Sequence, residues 1–393
     1  MLDSLKKIDI SGIGLFLLIV AVTSFLYSTY YSLAGKIAYF CSLFFLFFAM
    51  FCKMQSMRKN RMLVWYGVFF CWACFTSRYS SHPNDSLEIM ELVAVTQIPI
   101  IFSVGLYCTS QDRIKKLMVI YLLAAMVLCF FVLWDGPGVG MRYGWHVAGE
   151  QPNTPALNLA AAFAFSIFLF FNESNRKIKI FYLLTALLVS VVIFLTGSRK
   201  IIIYMAGVIC GLFLYRSKNI KKTISALFLI IILLLIGYFL LTQNQFLYEA
   251  MGQRIFTDLS DESSAVERTL LREKGLEFFF KSPIWGNGVD SFKWVCFAGV
   301  YSHNNYIEIA NGMGLIGLFI YYSYLIFIAV KLWNGRNNRY NFLFFLILIM
   351  TFAIEYYNVN YLQRGIFVVY TLAYCQYRIG CCDKNHSEGE LQC

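Results

Sequence analysis

Hydrophobic positions in this chain fall into long unbroken runs, and polar positions are confined to the gaps between them. About 20 consecutive apolar residues let an α-helix cross the ~30 Å hydrocarbon layer with its backbone satisfied, whereas the strands of a barrel would alternate. The pattern predicts an all-α polytopic membrane protein with about 12 transmembrane helices, at 13–34, 37–52, 62–77, 88–108, 114–134, 155–172, 178–196, 200–215, 222–242, 305–332, 341–356 and 362–378. All of 1–393 reads as a single integral membrane domain. One gap, 243–304, is far longer than the rest and forms a large loop within that domain. Inside it, 262–281 predicts an amphipathic helix: Val266, Leu270, Gly275, Leu276, Phe279 and Phe280 offer apolar surface, and Arg268 and Arg272 share a face at i, i+4 spacing. Such a helix suits a membrane surface. The polar tail from Cys381 predicts disorder.

Composition agrees: 59% of residues are hydrophobic and only 14% charged, with a mean hydropathy of +0.62. A soluble domain carries about a quarter charged residues, so that class is excluded. Alternate gaps collect the cations: Lys6/Lys7, Lys53 to Arg61, Arg113 to Lys116, Arg176 to Lys179, Arg216 to Lys222, Lys331 to Arg339, and Arg378/Lys384. Together these hold 21 of the 33 basic residues and 7 of the 22 acids. Basic loops stay on the cytoplasmic side, which puts both termini in the cytoplasm and 243–304 outside. The net charge of +11 is then a topology signal, and nucleic acid is not an expected partner because no recognition module accompanies it. The first span lacks a clear small-residue cleavage site and a second follows at once, so it is expected to stay in the protein. Most of the 12 cysteines lie within spans, and no disulfide framework is implied.

Few residues outside the runs carry chemistry. Arg268 and Arg272 read either as interfacial arginines paired with Glu267, Glu273 or lipid headgroups, or as a clamp for phosphate, whose oxygens match the guanidinium fork. Arg199, in the tight turn Thr196-Gly197-Ser198-Arg199-Lys200, is either a snorkelling helix-end anchor or a third cation of such a site. His303, where the long loop meets the next span, is either a structural hydrogen-bonding residue or a general base. His82, His146 and His386 lack metal-ligand spacing. The Cys71/Cys74 pair falls inside a span without a second pair, and the glycines at 136–140 follow no strand.

The chain resembles the O-antigen ligase and polymerase superfamily of bacterial envelope glycan assembly. The features that carry the resemblance are Ser302-His303-Asn304 followed nine residues later by Gly314-Leu315-Ile316-Gly317; Ser282-Pro283-Ile284-Trp285-Gly286-Asn287-Gly288; Arg268, fifteen residues before Pro283; Thr196-Gly197-Ser198-Arg199; and Gln151-Pro152-Asn153 at the start of a span. The motifs span roughly 142–317. The resemblance implies that Arg199 and Arg268, and more weakly Arg272 and Arg142, hold the diphosphate of a polyprenyl-diphosphate-linked glycan, and that His303 activates the acceptor. Leu318 stands where ligases of the family often have threonine, which leans toward polymerase.

The expected function is polymerisation of lipid-linked oligosaccharide repeats for capsule, O-antigen or exopolysaccharide, in the bacterial inner (cytoplasmic) membrane. Undecaprenyl diphosphate is the expected carrier. Partners are the lipid-linked donor, a glycan acceptor, membrane lipid and, in such systems, a flippase and a chain-length regulator. No cofactor or metal is expected, since arginines already supply positive charge and the loop has no carboxylate cluster. Rival readings are a ligase, a lipid-linked glycan flippase or other transporter, and a scaffold. An ion-coupled transporter would place charges near mid-span, and the spans lack them.

Overall fold

Apolar runs become helices throughout the computed structural model, which describes residues 60–138, 142–144, 147, 152–217, 263–296 and 299–387, together with 40, 239, 243 and 245. The helices are α1 (Arg61–Arg78), α2 (Pro83–Tyr107), α3 (Gln111–Asp135), α4 (Asn153–Asn172), α5 (Arg176–Leu195), α6 (Arg199–Arg216), α7 (Ser263–Lys281), α8 (Phe292–Val295), α9 (Asn305–Asn334), α10 (Arg339–Glu355) and α11 (Arg364–Ser387). The described part has no β-strand, only an isolated bridge between Pro137 and Tyr143. Helices α1 to α6 and α9 to α11 occupy predicted spans. The spans expected at 13–34, 37–52 and 222–242 lie outside the described residues. Among the described residues, five helices are long and apolar enough to cross a membrane: α2, α3, α4, α5 and α9. Two boundaries differ from expectation. Helix α2 starts earlier, because Pro83 is preorganised for a first helical turn. Helix α11 runs on to Ser387 through the tail expected to be disordered, because adding residues to an existing helix is easier than starting one.

Helix α4 is the most enclosed. Its alanines at 156, 160, 161, 162 and 164 are buried and let α3, α5, α6 and α10 approach. Helix α5 has the opposite character, with Leu184, Leu187 and Val191 more than half exposed, as for a face turned to lipid. A second group, α1, α2, α9 and α11, joins the first through α10 and α11.

At one end of the bundle, cations meet helix termini. Arg113 donates to Tyr107 O, Arg216 to Phe171 O, Arg336 to Trp333 O, and Arg378 to Gly105 O and Cys108 O, while Lys115 pairs with Glu173 at 3.2 Å. These contacts satisfy last-turn carbonyls and complement the negative end of the helix dipole.

Helix α9 breaks at Gly314 (φ 67°, ψ −171°). The segment before it folds into the break: Leu315 N donates to Pro283 O (2.8 Å), Asn287 N to Asn311 O (2.7 Å) and Gly288 N to Gly312 O (2.7 Å). Trp72 Nε1 donates to Met313 O. A Cβ on Gly314 would strike Ile284 O, and one on Gly286 would lie 2.5 Å from the Gly312 carbonyl. The glycines of both sequence blocks therefore serve one backbone-to-backbone contact.

Candidate active site

Three connections and the segment between α7 and α9 meet at the other end of the bundle. At the start of α9, Asn304 caps the helix by accepting from Tyr306 N and Ile307 N. Ser302 Oγ donates to Asn304 O, and the buried Glu308 carboxylate accepts from Ser302 N at 2.7 Å. Both neighbours of His303 are thus pinned. His303 itself takes φ 56°, a left-handed conformation that histidine adopts more readily than most residues but still at a cost. Its ring packs against Tyr301, centroids 4.2 Å apart.

Among the described residues, no carboxylate hydrogen-bonds to either ring nitrogen of His303. Burial, then the charges of Arg268 and Lys200, push it down to about 4, which leaves it neutral at pH 7. Arg268 and Lys200 therefore both lie within electrostatic reach of His303. Lys200 also lies within electrostatic reach of Arg142.

Each cation has a local reason for its place. Arg142 is buried and donates from Nε to Thr196 O (2.8 Å) and from Nη2 to Asn153 Oδ1 (3.2 Å), tying the loop before α4 to the turn before α6. Arg268 arrives on α7, which docks on α9 where Gly275 leaves no side chain: a Cβ there would sit 2.5 Å from Ile307 Cγ2 and 2.9 Å from Phe292 Cε2. Asn311 Nδ2 fastens that contact by donating to Gly275 O at 2.8 Å. Leu271, Gly275 and Phe278 face the bundle, whereas Val266, Leu270, Leu276 and Phe280, read from sequence as apolar surface suited to a membrane, are about half exposed or more. The helix is there as expected, but its docked face is the one that carries the arginines.

Of the residues singled out from sequence, His303, Arg268 and Arg142 gather around Lys200. Arg272 shares Arg268's face but turns aside: its Nε donates to Arg268 O and its guanidinium lies 5.1 Å from the Tyr356 ring centroid. Arg199 opens α6, half-buried, beside Lys200, and its charge is not among those acting on His303. Gln151 and His146 fall outside the described residues. His82 stacks on Trp294 at 4.5 Å, away from this cluster.

Sequence reasoning missed Lys200. Its Nζ donates to Asn358 Oδ1 (2.6 Å) and Tyr357 O (3.0 Å), on the connection between α10 and α11. A lysine beside an arginine at a span end looks like a headgroup anchor, and no spacing rule sets it apart. The polar pair Asn358 and Asn360 in an otherwise apolar connection was the available signal.

No curated protein matches the chain. A family model described as O-antigen ligase matches residues 184–322, a stretch that includes Arg199, Lys200, Arg268, Arg272 and His303. That match, together with a helical, membrane-type architecture, supports the resemblance to the O-antigen ligase/polymerase superfamily.

Proposed function

We propose that the protein transfers a glycan from a polyprenyl-diphosphate carrier to an acceptor sugar, and that its product is a lengthened lipid-linked glycan. The reading is supported above all by one observation: a histidine, held between two pinned neighbours and stacked on Tyr301, lies within electrostatic reach of both Arg268 and Lys200. The family model supports the class of reaction.

In this mechanism the prenyl chain stays in the bilayer and the diphosphate enters the cationic pocket formed with Arg142, Arg199 and Arg272 nearby. His303 accepts the proton of an acceptor hydroxyl. The hydroxyl oxygen forms a bond to the anomeric carbon from the face opposite the leaving group. The anomeric C–O bond breaks, polyprenyl diphosphate departs with the electron pair, and configuration inverts. Negative charge grows on the leaving diphosphate, so fixed cations favour the transition state over the ground state. Bound diphosphate also offsets the positive charges that depress the imidazole, so the base gains proton affinity when its substrate is present.

The deciding experiment supplies purified protein with a lipid-diphosphate oligosaccharide and analyses the product, with His303→Ala as control. Longer lipid-linked glycan supports polymerisation. Unchanged turnover in His303→Ala removes the reading. The alternative, transfer to a lipid or protein acceptor by a ligase, is favoured by the description of the matching family; glycan appearing on such an acceptor selects it. Movement of the lipid-linked glycan across proteoliposomes without new glycosidic bonds would select a flippase.

A further inference from the structure

We propose that Lys200 binds the substrate's diphosphate directly and that Glu355, a buried carboxylate two side chains away, is the positioning residue that aims it. This rests on the reading of the site as a lipid-diphosphate glycosyl-transfer centre.

The ammonium of Lys200 has three N–H donors. Two go to Asn358 Oδ1 and Tyr357 O, and the third has no partner among the described residues. Lys200 sits in the first turn of α6, where the helix dipole disfavours a cation, and within reach of two further cations, Arg268 and Arg142. Anchoring a helix end does not require that crowding. A diphosphate, the ligand already placed here, relieves it.

From Lys200 a chain of hydrogen bonds runs inward in one direction. Asn358 accepts from Lys200 and donates through Nδ2 to Asn360 Oδ1 (2.6 Å), and Asn360 Nδ2 donates to Glu355 Oε1 (3.3 Å). Tyr370 and Tyr322 each donate to the Glu355 carboxylate at 2.7 Å. Tyr322 accepts from Asn305, whose Oδ1 takes the backbone N–H groups of Asn360 and Tyr361. Asn305 is two residues from His303, so base and lysine are held by one frame.

Both asparagine amides point the same way, each accepting on the Lys200 side and donating on the Glu355 side. A direct Lys–Glu pair would hold the ammonium but cancel the charge the anion needs. Two intervening amides hold it without that loss. Replacing Glu355 by glutamine removes the carboxylate acceptor, lets the amides reverse and turns an N–H₂ group toward Lys200.

The test uses full-length protein in lipid nanodiscs, with a lipid-diphosphate oligosaccharide as donor and polyprenyl diphosphate alone as binding probe. Lys200→Met should weaken probe binding and raise KM for the donor about tenfold, and Lys200→Arg should recover part of this. Glu355→Gln should shift both in the same direction by about threefold, and should add nothing on a Lys200→Met background. An equal Glu355→Gln effect in both backgrounds would make Glu355 a structural brace only and overturn the proposal, as would wild-type probe binding by Lys200→Met. If Glu355→Gln fails to fold by thermal melting, Asn358→Ala cuts the same chain next to Lys200 and must show the same threefold, non-additive effect. The underlying reading fails separately, through wild-type turnover of His303→Ala and Arg268→Ala; loss of turnover in those two with unchanged Lys200→Met rejects this inference alone.

Discussion

The two ends of the bundle are both cationic, yet they use charge differently. At the end carrying Arg113, Arg216, Arg336 and Arg378, the guanidiniums sit on main-chain carbonyls at three helix ends, Arg113 and Arg378 sharing that of α2. At the other end Arg268 and Lys200 act on one imidazole and Arg142 acts on Lys200, the three coming from separate segments. Dispersed cations complement helix dipoles and mark topology. Convergent ones repel, and the fold must supply anchors to hold them: Thr196 O for Arg142, Tyr357 O and Asn358 for Lys200, Gly275 packing for Arg268.

The comparison breaks hardest at His303. His303→Ala is expected to slow transfer by about 10³-fold, within the range for a positioned general base, and to leave binding of polyprenyl diphosphate intact; paired turnover and binding measurements check both. Next, Arg268→Ala should cost 10²- to 10³-fold in kcat, on the order of 3 kcal/mol, as for loss of one preorganised charge-stabilising donor. Gly275→Val should lower kcat roughly tenfold without touching any cation, because its side chain would push α7 off α9; on an Arg268→Ala background most of that loss should vanish.

The pH dependence sharpens the same contrast. In the free enzyme His303 stays neutral down to about pH 4, so the acidic limb of kcat/KM should fall there. Bound diphosphate raises the imidazole, so the acidic limb of kcat should lie at higher pH. Coincident limbs would mean that the cations do not face the substrate. The smallest effect is expected at the opposite end: Arg216→Ala should change turnover less than about twofold, the ordinary result for a surface contact.

Much of this was legible before the structure. Apolar runs fixed where helices lie, and His303 and Arg268 stood out because a polar segment of that length had to do something besides connect spans. The motif glycines were visible too, but their meaning was not: only three-dimensional contact shows Gly286 and Gly314 serving one joint. Lys200 and Glu355 were hidden for a physical reason. Their contacts come from side chains on other elements, 200 against 358 and 355 against 322 and 370, and neither periodicity nor charge placement carries that information. The docked face of α7 was not read from sequence, because a helix between bilayer and protein has two apolar surfaces and hydropathy cannot say which one meets protein.

The glycine at position 275 makes α7 a lever. From that fulcrum to Arg268 there are about two turns, roughly 10 Å of helix at 1.5 Å per residue. A tilt of about 6° at the pivot would swing the guanidinium by about 1 Å, the scale of misplacement that costs an enzyme about 10²-fold. Aim at one end of this rod is thus governed by a contact too close for even a methyl group at its pivot.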